Sequence, residues 1–153
     1  MPALSFSGEP KRGPFWRLIL DGEKTMTTRH ERKRGGPRVG QVAHLYWKQR
    51  VAKDRKPIHL IGRSTIINVK WYSSMRVLLL AQGVKGAVEY IKAEGFDGLR
   101  ELVEWWAGES PSSYGIMDGG ILLEHEVWDV LEDSGPVEVI EWMYPFNVKE
   151  AAV

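Results

Sequence analysis

At 153 residues, with hydrophobic side chains at 43% and charged ones at 27%, the chain suits one soluble globular domain and excludes wholesale disorder. The absence of cysteine excludes a disulfide framework, a thiolate nucleophile and zinc sites built on sulfur. A net charge of +1 conceals a split: residues 1–76 hold 17 of the 21 Lys and Arg and 5 of the 20 acids, a balance of +12, which leaves −11 on residues 77–153.

Phe15-Trp16-Arg17-Leu18-Ile19-Leu20 predicts a short helix over residues 14–20, because Pro14 suits a first helical turn and Gly22 suits the C-terminal cap. Thr25–Arg29 is rich in β-branched residues and predicts a strand. His30–Arg38 follows as a basic loop, Val39–Trp47 as a second strand with partial alternation, and Lys48–Lys56 as another basic loop. Residues 58–71 contain two β runs, 58–61 and 64–69, with Gly62 marking a bulge or bend. Val77–Leu80 leads into a helix over residues 84–93 that carries Val84, Ala87, Val88 and Ile91 on one stripe. A further helix, over residues 99–106, puts Leu99, Leu102, Val103 and Trp106 on one face. Ser110–Gly115 and Asp118–Gly120 read as loops, Ile121–Val130 as a strand, and Val137–Met143 as a last strand or tail. No internal repeat, low-complexity tract or linker divides the chain, so a single domain over 1–153 is expected, a small β barrel or sheet with two or three helices.

Residues 1–14 hold no apolar run after a basic start, and no stretch approaches the ~20 apolar residues of a membrane helix. A cytoplasmic protein with no membrane partner is therefore expected. The basic half suits phosphate-bearing partners; the plain alternative is that the two halves attract each other within the fold. His30, His44, His59 and His125 lack metal-site spacing, and Glu124-His125-Glu126 on a strand would split its side chains between two faces. Neither a metal nor another cofactor is expected.

Lys24, Thr27 and Arg29 lie within six residues, directly after a glycine turn. Cations beside a hydroxyl at the mouth of a strand can hold an oxyanion or phosphate and activate a nucleophile, and burial can lower a lysine pKa enough to make it a base. The same residues are also compatible with an ordinary strand end. The stretch Gly22-Glu23-Lys24-Thr25-Met26-Thr27-Thr28-Arg29 resembles the G-x-K-x-x-x-x-R signature of the ASCH domain family, relatives of the PUA domain. Ile19-Leu20-Asp21 before it, Arg38-Val39-Gly40 after it, and Ala93-Glu94-Gly95-Phe96 further on resemble that family in order and spacing, over most of residues 14–130.

The resemblance implies an α+β fold, a small PUA-like β-barrel with flanking helices, and RNA binding in a cleft. It further implies that the activity of the small bacterial members, hydrolysis of N4-acetylcytidine to cytidine and acetate, is a candidate here. The catalytic Lys, Thr and Glu of those members match Lys24, Thr27 and Glu94. Under that reading Lys24 serves as base for Thr27, Glu94 shuttles a proton to the leaving amine, and Arg29 fixes a charged or carbonyl group. In a regular strand, positions 24 and 27 face opposite sides, so Lys24 must still belong to the turn. Another ASCH protein is similar to a ribonuclease, so the fold does not choose the reaction.

The chain is about half again as long as the small amidohydrolases, with extra residues around 48–57 and 103–120, and more basic near the cleft loops. Those loops carry Arg32, Lys33, Arg34, Arg38, Lys48 and Lys53 and flank Tyr46 and Trp47, a pattern suited to single-stranded RNA; adjacent strand residues face opposite sides, so one of the two rings is expected in the core. Thr25 and Tyr114 are further candidates for substrate contact, and Trp105 and Trp106 fit helix packing or, for one of them, base stacking. Three functions stand: hydrolysis of an N4-acylated cytidine, RNA binding with ribonuclease activity, and a non-catalytic ligand pocket. The expected partner is a nucleoside or single-stranded RNA.

Overall fold

A computed structural model describes residues 3–32, 36–47 and 59–144. The elements in chain order are β1 (Ala3–Phe6), α1 (Phe15–Leu20), β2 (Met26–His30), β3 (Val42–Trp47), β4 (His59–Tyr72), α2 (Met75–Ala93), α3 (Leu99–Ala107), β5 (Tyr114–Met117), β6 (Gly120–Leu123), α4 (His125–Glu132) and β7 (Val137–Trp142). Five strands form one mixed sheet in the order β1-β3-β4-β7-β2, parallel only between β1 and β3, and β5 with β6 makes a separate hairpin. This is the α+β class expected, with a curled, half-barrel sheet and four helices.

The curl has a local cause. β4 pairs with β3 through its first half and with β7 through its second. The register slips once opposite Leu45 and Tyr46, beside Gly62, and again between Ile66 and Asn68. Each slip adds a residue on β4, which bends and twists the strand. Gly62 thus sits at a bulge, as its place between two β runs predicted. The two outer strands, β1 and β2, are drawn together across the open seam, where Arg29 Nη2 donates to Ser5 O at 2.8 Å. Phe6 on β1 meets Trp142 on β7 edge-to-face at 5.8 Å, which closes the apolar interior behind that seam.

Helix α1 packs Phe15, Leu18 and Ile19 into this core, at the heptad-like spacing that its sequence shows. Helix α2 begins at Met75, nine residues before the predicted start, and kinks at Gly83, whose φ of 71° lies in the left-handed region. Ser74 starts it by accepting from Val77 N, and Leu78 and Leu79 are buried, so the apolar run 77–80 is the first turn of a helix. Beyond the kink Ala87 and Ile91 are buried as expected, but Val88 is exposed and Tyr90 takes its place on the inner face.

The predicted strand over 121–130 divides. Residues 120–123 pair with β5, and His125–Glu132 is a helix because Val127 and Leu131, four apart, both bury. Alternation held for only three residues there, whereas the i,i+4 pair found a core to enter. Among the described residues no helix is long and apolar enough to cross a membrane.

Candidate active site

The site is built where the short segment between α1 and β2 passes the end of α2. Gly22, at φ 77°, turns the chain out of α1. The amides of Glu23 and Lys24 then both donate to Leu18 O, at 2.9 and 3.0 Å, and Thr25 N donates to Ala93 O at 2.9 Å. The segment is pinned at both sides, and Lys24 precedes the first strand residue, Met26. The alternation of β2 therefore does not constrain it, and its side chain turns inward.

Lys24 is 1% exposed. Its ammonium donates to Met26 O at 2.7 Å, to Glu94 O at 2.6 Å and to Glu94 Oε2 at 3.3 Å, one acceptor for each of its three protons. The Glu94 carbonyl closes the C-terminus of α2, a place where the helix dipole favours a cation. The rings of Phe15 and Phe6 lie 4.5 and 5.7 Å from Nζ. Burial nevertheless dominates: it pulls the Lys24 pKa from its ordinary 10.5 to about 8, against the raising pull of Glu94.

Glu94, itself buried, receives Lys24 at Oε2 and the hydroxyl of Thr28 at Oε1. The Thr28 hydroxyl also lies 2.6 Å from that of Tyr90. Burial, and next the Glu94 charge, push the Tyr90 phenol well above its ordinary value. Of two adjacent threonines, then, Thr28 touches the carboxylate. Thr27 alternates with Thr28 along β2, is 8% exposed, and makes no hydrogen bond through its hydroxyl among the described residues. Both line one cavity of about 660 Å³, within the range of small-molecule sites.

Lys24, Glu94 and Arg29 line the same cavity, with Phe6, Phe15, Phe96, Trp105 and Trp106 as its apolar wall. Arg29 spans it, its guanidinium 5.2 Å from the Phe6 ring centre. His30 meets Trp106 edge-to-face at 5.3 Å at the rim, beside Arg32. Of the pair 105–106, Trp105 packs on Phe15 and Phe96 while remaining 52% exposed.

The other candidates scatter. Thr25 is held by its backbone, which donates to Ala93 O and accepts from Trp142 N, and it does not line the cavity. Arg38 is exposed, with its amide on Gln41. Tyr46 shares a hydrogen bond of 3.3 Å with His44, Trp47 packs against the core, and Tyr114 is exposed on β5; none of the three lines the cavity. Lys33, Arg34, Lys48 and Lys53 lie outside the described residues. Thr28, Tyr90 and the phenylalanine wall went unread in the sequence. The one signal available was the spacing of Tyr90 and Glu94, a single helical turn apart. No group of three or more His, Asp or Glu able to hold a metal ion occurs among the described residues.

No protein-family model matches the chain, and no curated protein is similar to it. Among solved structures, the chain is similar to the ASCH protein of Zymomonas mobilis at 15% identity and a TM-score of 0.42, over 97% of this chain and 73% of that one. Two single-substitution mutants of the same protein align at 13% identity, with TM-scores of 0.40 and 0.42, over 92% and 97% of this chain and 66% and 74% of theirs. The chain thus spans about two thirds to three quarters of their length, and those neighbours bear the family name that the Gly22–Arg29 stretch suggested.

Proposed function

We propose that the protein hydrolyses the amide of an N4-acylated cytidine, with Lys24 as base, Thr27 as nucleophile and Glu94 as proton carrier. The observation that carries this reading is the buried Lys24–Glu94 pair in the wall of an aromatic-lined cavity. A lysine with a pKa of about 8 is neutral in about a tenth of molecules at pH 7, so it can take a proton at working pH. The unpartnered Thr27 hydroxyl suits the attacking atom. Its oxygen adds to the acyl carbonyl as its proton passes to Lys24. The C–N bond breaks when that proton, relayed by Glu94, reaches the leaving N4, and cytidine departs. Water then attacks the Thr27 ester, giving up a proton to Lys24 as it adds, and that proton returns to the Thr27 oxygen as the carboxylic acid leaves. Arg29 supplies positive charge facing the substrate, and the rings of Phe6 and Phe15 suit a flat base.

The direct test is turnover of N4-acetylcytidine, followed by the absorbance change on conversion to cytidine, beside Lys24→Ala. Turnover abolished in the variant supports the reading; equal activity in a folded variant refutes it. A second reading, single-stranded RNA binding, draws on Arg29, His30 and Arg32 at the rim with Trp105 and Trp106 behind them. It requires affinity that falls steeply with salt, and a flat response removes it.

A further inference from the structure

Glu94 is held at both of its oxygens. Lys24 holds Oε2, and the Thr28 hydroxyl holds Oε1. A threonine hydroxyl has one proton and a carboxylate only accepts, so that proton goes to Glu94. The Tyr90 O–H, 2.6 Å from Thr28 Oγ1, must then be the donor in its own hydrogen bond. The chain of donors runs from Tyr90 to Thr28 to Glu94. Tyr90 and Glu94 stand four residues apart on α2, so they share a helix face, and Thr28 reaches them from β2.

We infer that Thr28 and Tyr90 are positioning residues that clamp the Glu94 carboxylate against Lys24, a role resting on the reading of Lys24 and Glu94 as the working pair. Glu94 is the C-cap of its helix, where backbone geometry alone constrains a side chain least. Proton transfer needs the carboxylate fixed to about half an ångström, and two hydroxyls in series supply that, Thr28 from β2 and Tyr90 from one turn back on α2. Tyr90 stays a neutral phenol, so its donor persists over the range in which Lys24 titrates. The ionisable groups facing the carboxylate are Lys24 ahead of β2, Tyr90 on α2 and, farther out, Arg29 on β2; α1 and β1 contribute the rings of Phe15 and Phe6.

The test follows the Lys24 ammonium by NMR across a pH titration in wild type, Thr28→Val, Tyr90→Phe and Thr28→Ser. Glu94 raises the Lys24 midpoint, so loosening the clamp is expected to lower it below about 8 in Thr28→Val and Tyr90→Phe, with Thr28→Ser returning to wild type. With N4-acetylcytidine, kcat is expected to fall about 10- to 100-fold in Thr28→Val while KM changes by less than about threefold. A midpoint unchanged or raised in both Thr28→Val and Tyr90→Phe overturns the clamp. The titration needs no substrate, so a wild type that leaves N4-acetylcytidine intact refutes the amidohydrolase reading while the Lys24 midpoints still decide the clamp.

Discussion

Raising the pH from 8 to 10 is expected to stabilise this protein, through Lys24. Its folded pKa of about 8 lies below the ordinary 10.5 of the unfolded chain. Between those values the unfolded state binds the proton and the folded state does not, so stability rises with pH. Below about pH 8 both states are protonated and the unfavourable burial of the ammonium is fully present. Integrating the two titrations gives about 2 kcal/mol gained from pH 8 to 10, at a slope below the limit of about 1.4 kcal/mol per unit for a single proton. Lys24 is 1% exposed, so solvent screening takes little from this figure. The assay is urea unfolding at several pH values on wild type and Lys24→Met, which keeps the stem and removes the amine. The difference in slope between the two isolates Lys24 from the other lysines and from the tyrosines that titrate in the unfolded chain. Parallel stability curves for the two proteins would refute the claim that burial governs this lysine.

Glu94→Ala removes the carboxylate partner of a buried amine; a loss of about 3–5 kcal/mol at pH 6 is expected by chemical denaturation, and less above pH 8 where Lys24 is neutral. The double variant Lys24→Met, Glu94→Leu is expected to recover part of that loss, because no buried charge remains. Thr27→Val is expected to cut kcat by roughly 10³-fold or more with little change in Tm, since its hydroxyl makes no hydrogen bond among the described residues and is 8% exposed. Gly95→Ala is expected to lower Tm and slow turnover together: φ is 97°, and an added Cβ would stand 3.2 Å from Phe15 and Leu18 and 3.4 Å from Lys24 Cδ. Glu138, 2% exposed and opposite Arg29 in register, has an Oε1 with no hydrogen-bond partner among the described residues and a carboxyl that burial pushes up. Glu138→Gln is therefore expected to raise Tm at pH 7, where the wild-type charge must be held in the interior, and to leave it nearly unchanged at pH 4.

Much of the site was legible because its members are crowded into one stretch. A lysine after a glycine turn, with threonines and an arginine in the next five residues, also suits an ordinary strand end; its resemblance to the ASCH signature is what singled it out. The helices α1 and α3 were legible for different reasons: Pro14 and Gly22 mark the ends of α1, and the apolar spacing of α3 matches a 3.6-residue period. Helix α4 was misread because three alternating residues preceded it, and a short window cannot separate the two periods. The strand β1, at four residues, is too short to show any period of its own, and only its pairing with β3 makes it a strand.

From the sequence came the absence of thiol chemistry and the charge asymmetry, and from its resemblance to the ASCH family came the α+β barrel and Lys24 with Glu94 as candidates. Tertiary structure decided which threonine meets the carboxylate, because Thr27 and Thr28 are equivalent in composition and differ only in the side of β2 from which they project. It also decided that the Lys24 pKa falls to about 8 in place of the ordinary 10.5. That change comes from desolvation by Phe6, Phe15 and the end of α2, elements separated along the chain by up to 88 positions, and a burial energy of that kind exists only once distant segments have packed.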